Sequence, residues 1–179
     1  MELIFVRHGE TEFNKHHQLM GQRIDAPLDE KGLEQAKEVI GKLPDDFEII
    51  YSSPLKRAAQ TAEIIANHFS KAVEYNNNLK ERDFGSLSGK TWHQIDEEVG
   101  AHLSELDEQL KYDYTPYGGE TAEQVRSRLN TFIEEVRSKH PDSKIVVVTH
   151  YGLINLMNQM FPHKEHHKLT NTSIHKFEI

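Results

Sequence analysis

Ile145-Val146-Val147-Val148-Thr149 narrows what this chain can fold into more than any other stretch. An unbroken β-branched run cannot alternate between a wet face and a dry one, so it reads as a strand buried on both sides. Strands of that kind belong to parallel sheets with helices on each face. Leu3-Ile4-Phe5-Val6, inside a strand expected over 2–7, is a second such run. Phe47 to Tyr51, Ala72 to Tyr75 (the weakest) and Ile174 to Phe177 complete the expected strands. Between them apolar residues recur at helical spacing. Leu33, Ala36, Ile40 and Leu43 form one stripe, and Leu55, Ala58, Ala59, Ala62, Ile65, Ala66 and Phe69 a second. Val125, Leu129, Phe132, Ile133 and Val136 form a third, opened by a Thr121–Gln124 capping box. Leu153, Leu156, Met157 and Met160 form a fourth, ending near Pro162.

This alternation predicts an α/β three-layer sandwich, with a mostly parallel central sheet and helices on both faces. No linker, repeat or low-complexity tract divides the chain, so residues 1–179 are expected to form a single domain. The stretch from Thr91 to Tyr117 is less regular and acidic, with Asp96, Glu97, Glu98, Glu105, Asp107, Glu108 and Asp113. We expect a helical insertion or lid there, around 91–117.

Charge and composition exclude several classes. The net charge of -8 argues against a nucleic-acid partner, which needs a basic face. A small anionic substrate remains compatible, because the local field of a few arginines governs capture. No apolar run reaches the roughly 20 residues of a membrane span. The start of the chain lacks a basic and apolar leader, so a cytoplasmic protein is expected. There are no cysteines, and hence neither disulfides nor thiolate metal sites. Oligomeric state leaves no mark in the sequence.

The chemistry-bearing residues sit where these strands end. Arg7-His8-Gly9-Glu10 follows the first strand, and the carboxyl edge of an open α/β sheet is where ligands bind. His8 is the candidate nucleophile: an imidazole is neutral and able to attack at physiological pH, and neighbouring arginines favour that neutral form. Arg7 offers a permanently charged fork for phosphate oxygens. In a regular strand Arg7 and His8 would face opposite sides, so Gly9 is expected to permit a turn there. Arg57 lies in the first turn of the second helix, for which Ser53 suits the N-cap and Pro54 the N1 position. A helix start beside a guanidinium is a natural anion site. His150 follows the Val-rich strand just before the next helix, placed to donate to a phosphoryl oxygen. Glu81, in Leu79-Lys80-Glu81-Arg82-Asp83-Phe84-Gly85, is a candidate proton donor to a leaving oxygen, since a nearby phosphate charge would help it keep its proton. Spacing alone would allow Asp83 equally well.

Taken together, these residues resemble the histidine phosphatase superfamily, also called phosphoglycerate mutase-like. The similarity is carried by Arg7-His8-Gly9-Glu10-Thr11-Glu12-Phe13-Asn14, by Ser52-Ser53-Pro54-Leu55-Lys56-Arg57 with Ala58 to Ala62, by Glu81 with Phe84, Gly85 and Gly89, by Tyr117-Gly118-Gly119-Glu120-Thr121 and by Thr149-His150. It spans nearly the whole chain in order. The resemblance implies a phosphorylated His8, a proton donor Glu81, and a phosphate pocket completed by Arg7, Arg57 and His150. It also implies substrate contacts from Asn14 and Gln22, and it implies no metal or other cofactor. Tyr151 departs from the glycine that many members carry after this histidine, and a ring there would shape the substrate pocket.

The reading favoured is a metal-independent phosphomonoester phosphatase acting on small phosphorylated metabolites. Its rival is a cofactor-dependent phosphoglycerate mutase. Mutases of the family carry arginines after the acid motif, whereas no Arg occurs here between Arg82 and Arg126. A non-catalytic phosphate-binding regulatory module would be favoured had His8 or Glu81 been replaced. The 12 histidines raise a metalloprotein alternative at His16-His17 and at His163, His166 and His167, although no His-Glu-x-x-His motif accompanies them.

Overall fold

The computed structural model describes residues 1–100, 103–161 and 168–179. Its strands are β1 (Glu2–Arg7), β2 (Ile49–Ser52), β3 (Val73–Tyr75), β4 (Lys144–Thr149) and β5 (Ile174–Glu178). The α-helices among the described residues are α1 (Glu12–Lys15), α2 (Glu30–Glu38), α3 (Lys56–Phe69), α4 (Trp92–Val99), α5 (Leu103–Glu108), α6 (Ala122–Lys139) and α7 (Tyr151–Met160). The sheet order is β3-β2-β4-β1-β5. The first four strands run parallel, and only the edge strand β5 runs antiparallel, against β1.

Alternate residues of the central strands feed two separate cores, as the period-2 geometry of a strand requires. Leu3, Phe5, Ile145 and Val147 meet Val125, Leu129, Phe132 and Leu153 from α6 and α7. Ile4, Val6, Val146 and Val148 meet Ala58, Ala62 and Ile65 of α3 on the other side. Ile145 to Val148 are fully buried, which explains why that run could carry no polar residue. The expected three layers are present.

Three local expectations change. Leu33 is 37% exposed, and the helix stops at Glu38 before a 3-10 turn over Val39–Lys42, so Ala36 and Val39 carry the packing instead. The helix expected to start at Pro54 begins two residues later, with Leu55 at its cap and no side-chain cap bond. Ser53 is held elsewhere, its Oγ 2.8 Å from His150 Nε2. Gly9 is required for close approach rather than for a turn: a Cβ there would lie 2.5 Å from the Gly32 carbonyl oxygen of α2. The Thr121–Gln124 capping box forms as expected. The stretch 91–117 holds α4, α5 and a 3-10 turn at Thr115–Tyr117, and it packs Ile95, Leu110, Tyr112 and Tyr114 into the α6–α7 core. Pro162, read as the stop after α7, lies outside the described residues.

Candidate active site

Parallel pairing of β1 with β4 aligns Arg7 with Thr149, and the His8 N–H donates to the Thr149 carbonyl at 3.0 Å. His8 and His150 therefore leave adjacent strands at one level, with ring centroids 5.1 Å apart. Both are buried. His8 Nδ1 lies 2.7 Å from the Gly9 carbonyl oxygen. A carbonyl only accepts, so Nδ1 carries the proton and Nε2 keeps its lone pair. His150 Nε2 pairs with the Ser53 hydroxyl, while its buried Nδ1 has no protein partner.

Burial, then the charges of Arg57 and Arg7, hold the His8 pKa well below its ordinary value, against a weaker opposing effect of the Gly9 carbonyl. Burial and the same arginines, with His8 and Arg128, do likewise for His150. Both imidazoles are thus neutral at physiological pH, and His8 presents an unprotonated nitrogen.

The arginines are fastened to main chain. Arg7 Nη1 donates to the Leu169 carbonyl at 2.6 Å. Arg57, only 1% exposed, donates to the carbonyls of Gly21 at 2.9 Å and Ile24 at 3.2 Å. Its pKa is pushed down to about 10, chiefly by burial, with Glu81 and Asp25 opposing. Buried donors without a protein partner converge here: Nε of Arg7, of Arg57 and of Arg82, and Nη1 of Arg82. Such a set calls for an anion.

Glu81 lines the same cleft and is 8% exposed. Its loop is pinned by Arg128 of α6, which donates to the carbonyls of Asn78, Lys80 and Glu81 at 2.7, 2.7 and 3.1 Å. The carboxylate accepts from the Arg82 N–H at 3.0 Å and the Gly152 N–H at 3.3 Å. A Cβ at Gly152 would stand 2.4 Å from Glu81 Oε1, so glycine is needed for the acid to rest at the start of α7. Asp83, the alternative left open by spacing, does not line the cleft; it pairs with Arg23 at 2.9 Å.

The cleft has a volume of about 940 Å³. Asn14 and Tyr151, the two other residues that the sequence assigns to substrate, line it. Asn14 Oδ1 accepts from the Thr11 N–H and from Asn171 Nδ2, which leaves its amide hydrogens as what it offers a ligand. The Tyr151 ring lies beside the Arg7 and Arg82 guanidinium groups. Gln22 is not brought to the cleft; its amide donates to Glu120 at 3.0 Å.

Sequence reasoning missed several residues here. Asn171 reaches back to donate to the His8 carbonyl at 3.1 Å. Arg82, Asp107, Trp92 and Glu108 line the outer cleft. The pairing of Arg82 with Asp107 had no local signal. Among the described residues no group of three or more His, Cys, Asp or Glu is arranged around a metal position. His16 pairs with Glu12 and His17 lines the cleft, whereas His163, His166 and His167 lie outside the described residues.

Fold and site define a phosphate-handling α/β enzyme whose carboxyl sheet edge carries paired histidines, arginines and a carboxyl. The histidine phosphatase superfamily (branch 1) matches residues 3–179, and the chain belongs to that family of phosphoric monoester hydrolases. It is 33% identical to phosphoglycerate mutase-like protein 4 of Arabidopsis thaliana, over 99% of this chain and 79% of that protein. It is 36% identical to a metal-independent phosphoserine phosphatase of the same plant, over 86% of this chain and 65% of that protein. Among solved structures, phosphoserine phosphatase from Entamoeba histolytica in complex with 3-phosphoglyceric acid superposes with a TM-score of 0.78 at 29% identity, covering 99% of this chain and 90% of that one. Among the described residues no helix is long and apolar enough to cross a membrane.

Proposed function

We propose that this chain is a metal-independent phosphatase of small phosphomonoesters, working through a phosphohistidine on His8. One observation carries the reading: His8 has its Nδ1 tied to Gly9 and its Nε2 free, in the field of Arg7 and the buried Arg57 and across from a second neutral histidine. In the first step Nε2 forms a bond to phosphorus as the ester P–O bond breaks, and the leaving oxygen takes the proton of Glu81. Positive charge develops on the ring and is met by the Gly9 carbonyl. Arg7, Arg57 and His150 bind the equatorial oxygens, whose charge they stabilise in the transition state. In the second step Glu81 takes a proton from water, the new P–O bond forms, the N–P bond breaks, and inorganic phosphate leaves with His8 restored.

The outer cleft favours substrates with one phosphate and few other negative charges. Glu10 and Glu108 line it, Lys31 is paired with Glu10 at 3.0 Å, and Arg82 is paired with Asp107. The test is phosphate release from a panel of monoesters with a chelator present, and with His8→Ala as control. The panel should include a bisphosphate and its monophosphate counterpart. We expect release that survives chelation, disappears in the variant and is faster on the monophosphate. Faster turnover of the bisphosphate would overturn the substrate preference. Release that needs a metal, or that persists in His8→Ala, would overturn the mechanism.

A further inference from the structure

Ser53, His150 and His8 stand in a row across the carboxyl edge of the sheet. They follow β2, β4 and β1, which are neighbours in that order. The Ser53 N–H donates to the Val148 carbonyl at 3.0 Å, and the His8 N–H to the Thr149 carbonyl at 3.0 Å. The end of β4 thus sets the level of both flanking residues. The His150 ring meets each of them: its Nε2 lies 2.8 Å from Ser53 Oγ, and its centroid 5.1 Å from that of His8. Ser53 and His150 are fully buried.

A buried hydroxyl proton has to find an acceptor. Among the described residues Ser53 Oγ has two hydrogen-bond partners, the Leu55 N–H at 3.3 Å and His150 Nε2. The first can only donate, so the hydroxyl proton goes to Nε2. A ring nitrogen that accepts carries no proton of its own. Burial, then the charge of Arg57, keeps the ring neutral, and its one proton therefore sits on Nδ1. The other tautomer would fail twice. The hydroxyl proton would have no acceptor, and Nδ1 would present a bare lone pair that repels a phosphoryl oxygen.

His8 is arranged the other way round. Its Nδ1 faces the Gly9 carbonyl oxygen at 2.7 Å, which only accepts, so Nε2 is the bare nitrogen. The two imidazoles are both buried and neutral, yet partners of opposite sense fix them in opposite tautomers. One can attack phosphorus, and the other can donate to its oxygens. Nothing in the histidines themselves sets that division.

We infer that Ser53 is a positioning residue for the phosphatase reaction: its hydroxyl, by donating to His150 Nε2, holds the His150 proton on Nδ1, the nitrogen that serves the phosphoryl oxygen. This rests on His150 binding a phosphoryl oxygen in the function proposed above. It also accounts for α3 starting without a side-chain cap bond. Ser53 itself need not touch phosphate.

Nitrogen-15 NMR of the histidine rings, assigned through bonds from the main chain, reads the tautomer directly, because protonated and bare ring nitrogens resonate far apart. Near neutral pH the parent should show a protonated Nδ1 and a bare Nε2 at His150. Ser53→Ala removes the donor, and the free imidazole of histidine prefers the Nε2–H form, so the protonated fraction of Nδ1 should fall. Phosphate release from an aryl phosphate should fall with it, kcat/KM by roughly 10–100-fold, the range seen when the partner that orients a metal-bound histidine is lost. The double variant Ser53→Ala with His150→Ala should be no slower than His150→Ala alone, since Ser53 acts through that ring. A merely structural role would lower activity by the same factor in either background and leave the tautomer unmoved.

A bare Nδ1 at His150 in the parent overturns the inference. That measurement needs no variant, so it decides even if Ser53→Ala does not fold. An unchanged tautomer in Ser53→Ala, or losses that multiply in the double variant, overturn it as well. Full activity in His150→Ala would instead overturn the role given to His150 above, a result separable from the others because the tautomer is read without turnover.

Discussion

The phosphate end of the cleft and its outer wall are held by different kinds of contact. At the phosphate end, Arg7 and Arg57 are anchored to the main-chain carbonyls of Leu169, Gly21 and Ile24. At the wall, Arg82 is held by the Asp107 carboxylate and flanked by aromatic rings. A carbonyl is present whatever the side chain, so the path of the backbone sets where these two guanidinium groups are held. The wall needs particular side chains from a separate segment to meet. On the function proposed above, the difference separates fixed chemistry from adjustable selectivity: the first part would grip the phosphoryl group that every substrate shares, and the second would face what varies between substrates.

The largest effect should therefore come from the phosphate end. Arg57→Met removes a buried cation and leaves the Gly21 and Ile24 carbonyls without their donor. We expect kcat/KM to fall by about 10³-fold, in the range seen when a preorganised donor to transition-state charge is lost. Stability should fall by about 1–3 kcal/mol for the unsatisfied carbonyls. Steady-state kinetics beside a urea titration separates the two effects. A loss of activity no larger than the stability change explains would mean that Arg57 is a packing residue, and the contrast with the wall would collapse.

The same contrast explains what could be read from the sequence. Arg7, His8 and His150 were legible because each sits at the end of an apolar run, and the parallel sheet brings those ends together. The strands were legible because β1 and β4 are buried on both faces and cannot hide polar residues. Near the site, local rules failed where tertiary contacts overrode them. Ser53 gives up the helix cap to reach His150. Gly9 looks like a turn residue but is needed because the segment after β1 runs too close to the Gly32 backbone of α2 for a side chain. Asp107 could not be distinguished from the other acids between Thr91 and Tyr117, because what singles it out is Arg82, far away in sequence. Asn171-Thr172-Ser173 resembles the phosphatase branch of the family, but nothing local marks Asn171 as the residue that holds the His8 carbonyl from the other end of the chain.

A smaller effect follows from the two buried imidazoles. Both His8 and His150 have pKa values lowered by burial and by arginines. The unfolded chain protonates them near the ordinary value of about 6.5, while the folded protein does not. Stability is therefore complete above that pH and declines as pH falls below it, toward the lowered folded-state values. Each histidine should contribute about 1.4 kcal/mol of loss per pH unit in that window. Urea midpoints at pH 7.5 and 5.5, compared between the parent and His8→Gln, isolate one of the two. The variant should lose less stability on acidification, by about that amount. Equal losses would mean that His8 accepts a proton inside the fold, and that the phosphate end is wetter than its burial implies.

The smallest effect is the one that separates family resemblance from geometry. Resemblance assigns Gln22 to substrate, yet its amide donates to Glu120, which also accepts from the Asp83 N–H and from Arg128. Arg128 in turn pins the loop that carries Glu81. Gln22 thus supports the wall from behind, as one of several donors to a carboxylate that keeps the others. Gln22→Ala should lower stability by about 1 kcal/mol, the worth of a typical hydrogen bond, and leave kcat and KM within about twofold. A residue touching substrate would behave differently: KM would rise about tenfold or more, with stability unchanged. That outcome would require the Gln22 side chain to leave Glu120 when substrate binds, and it would make the wall a moving part where the phosphate end is not.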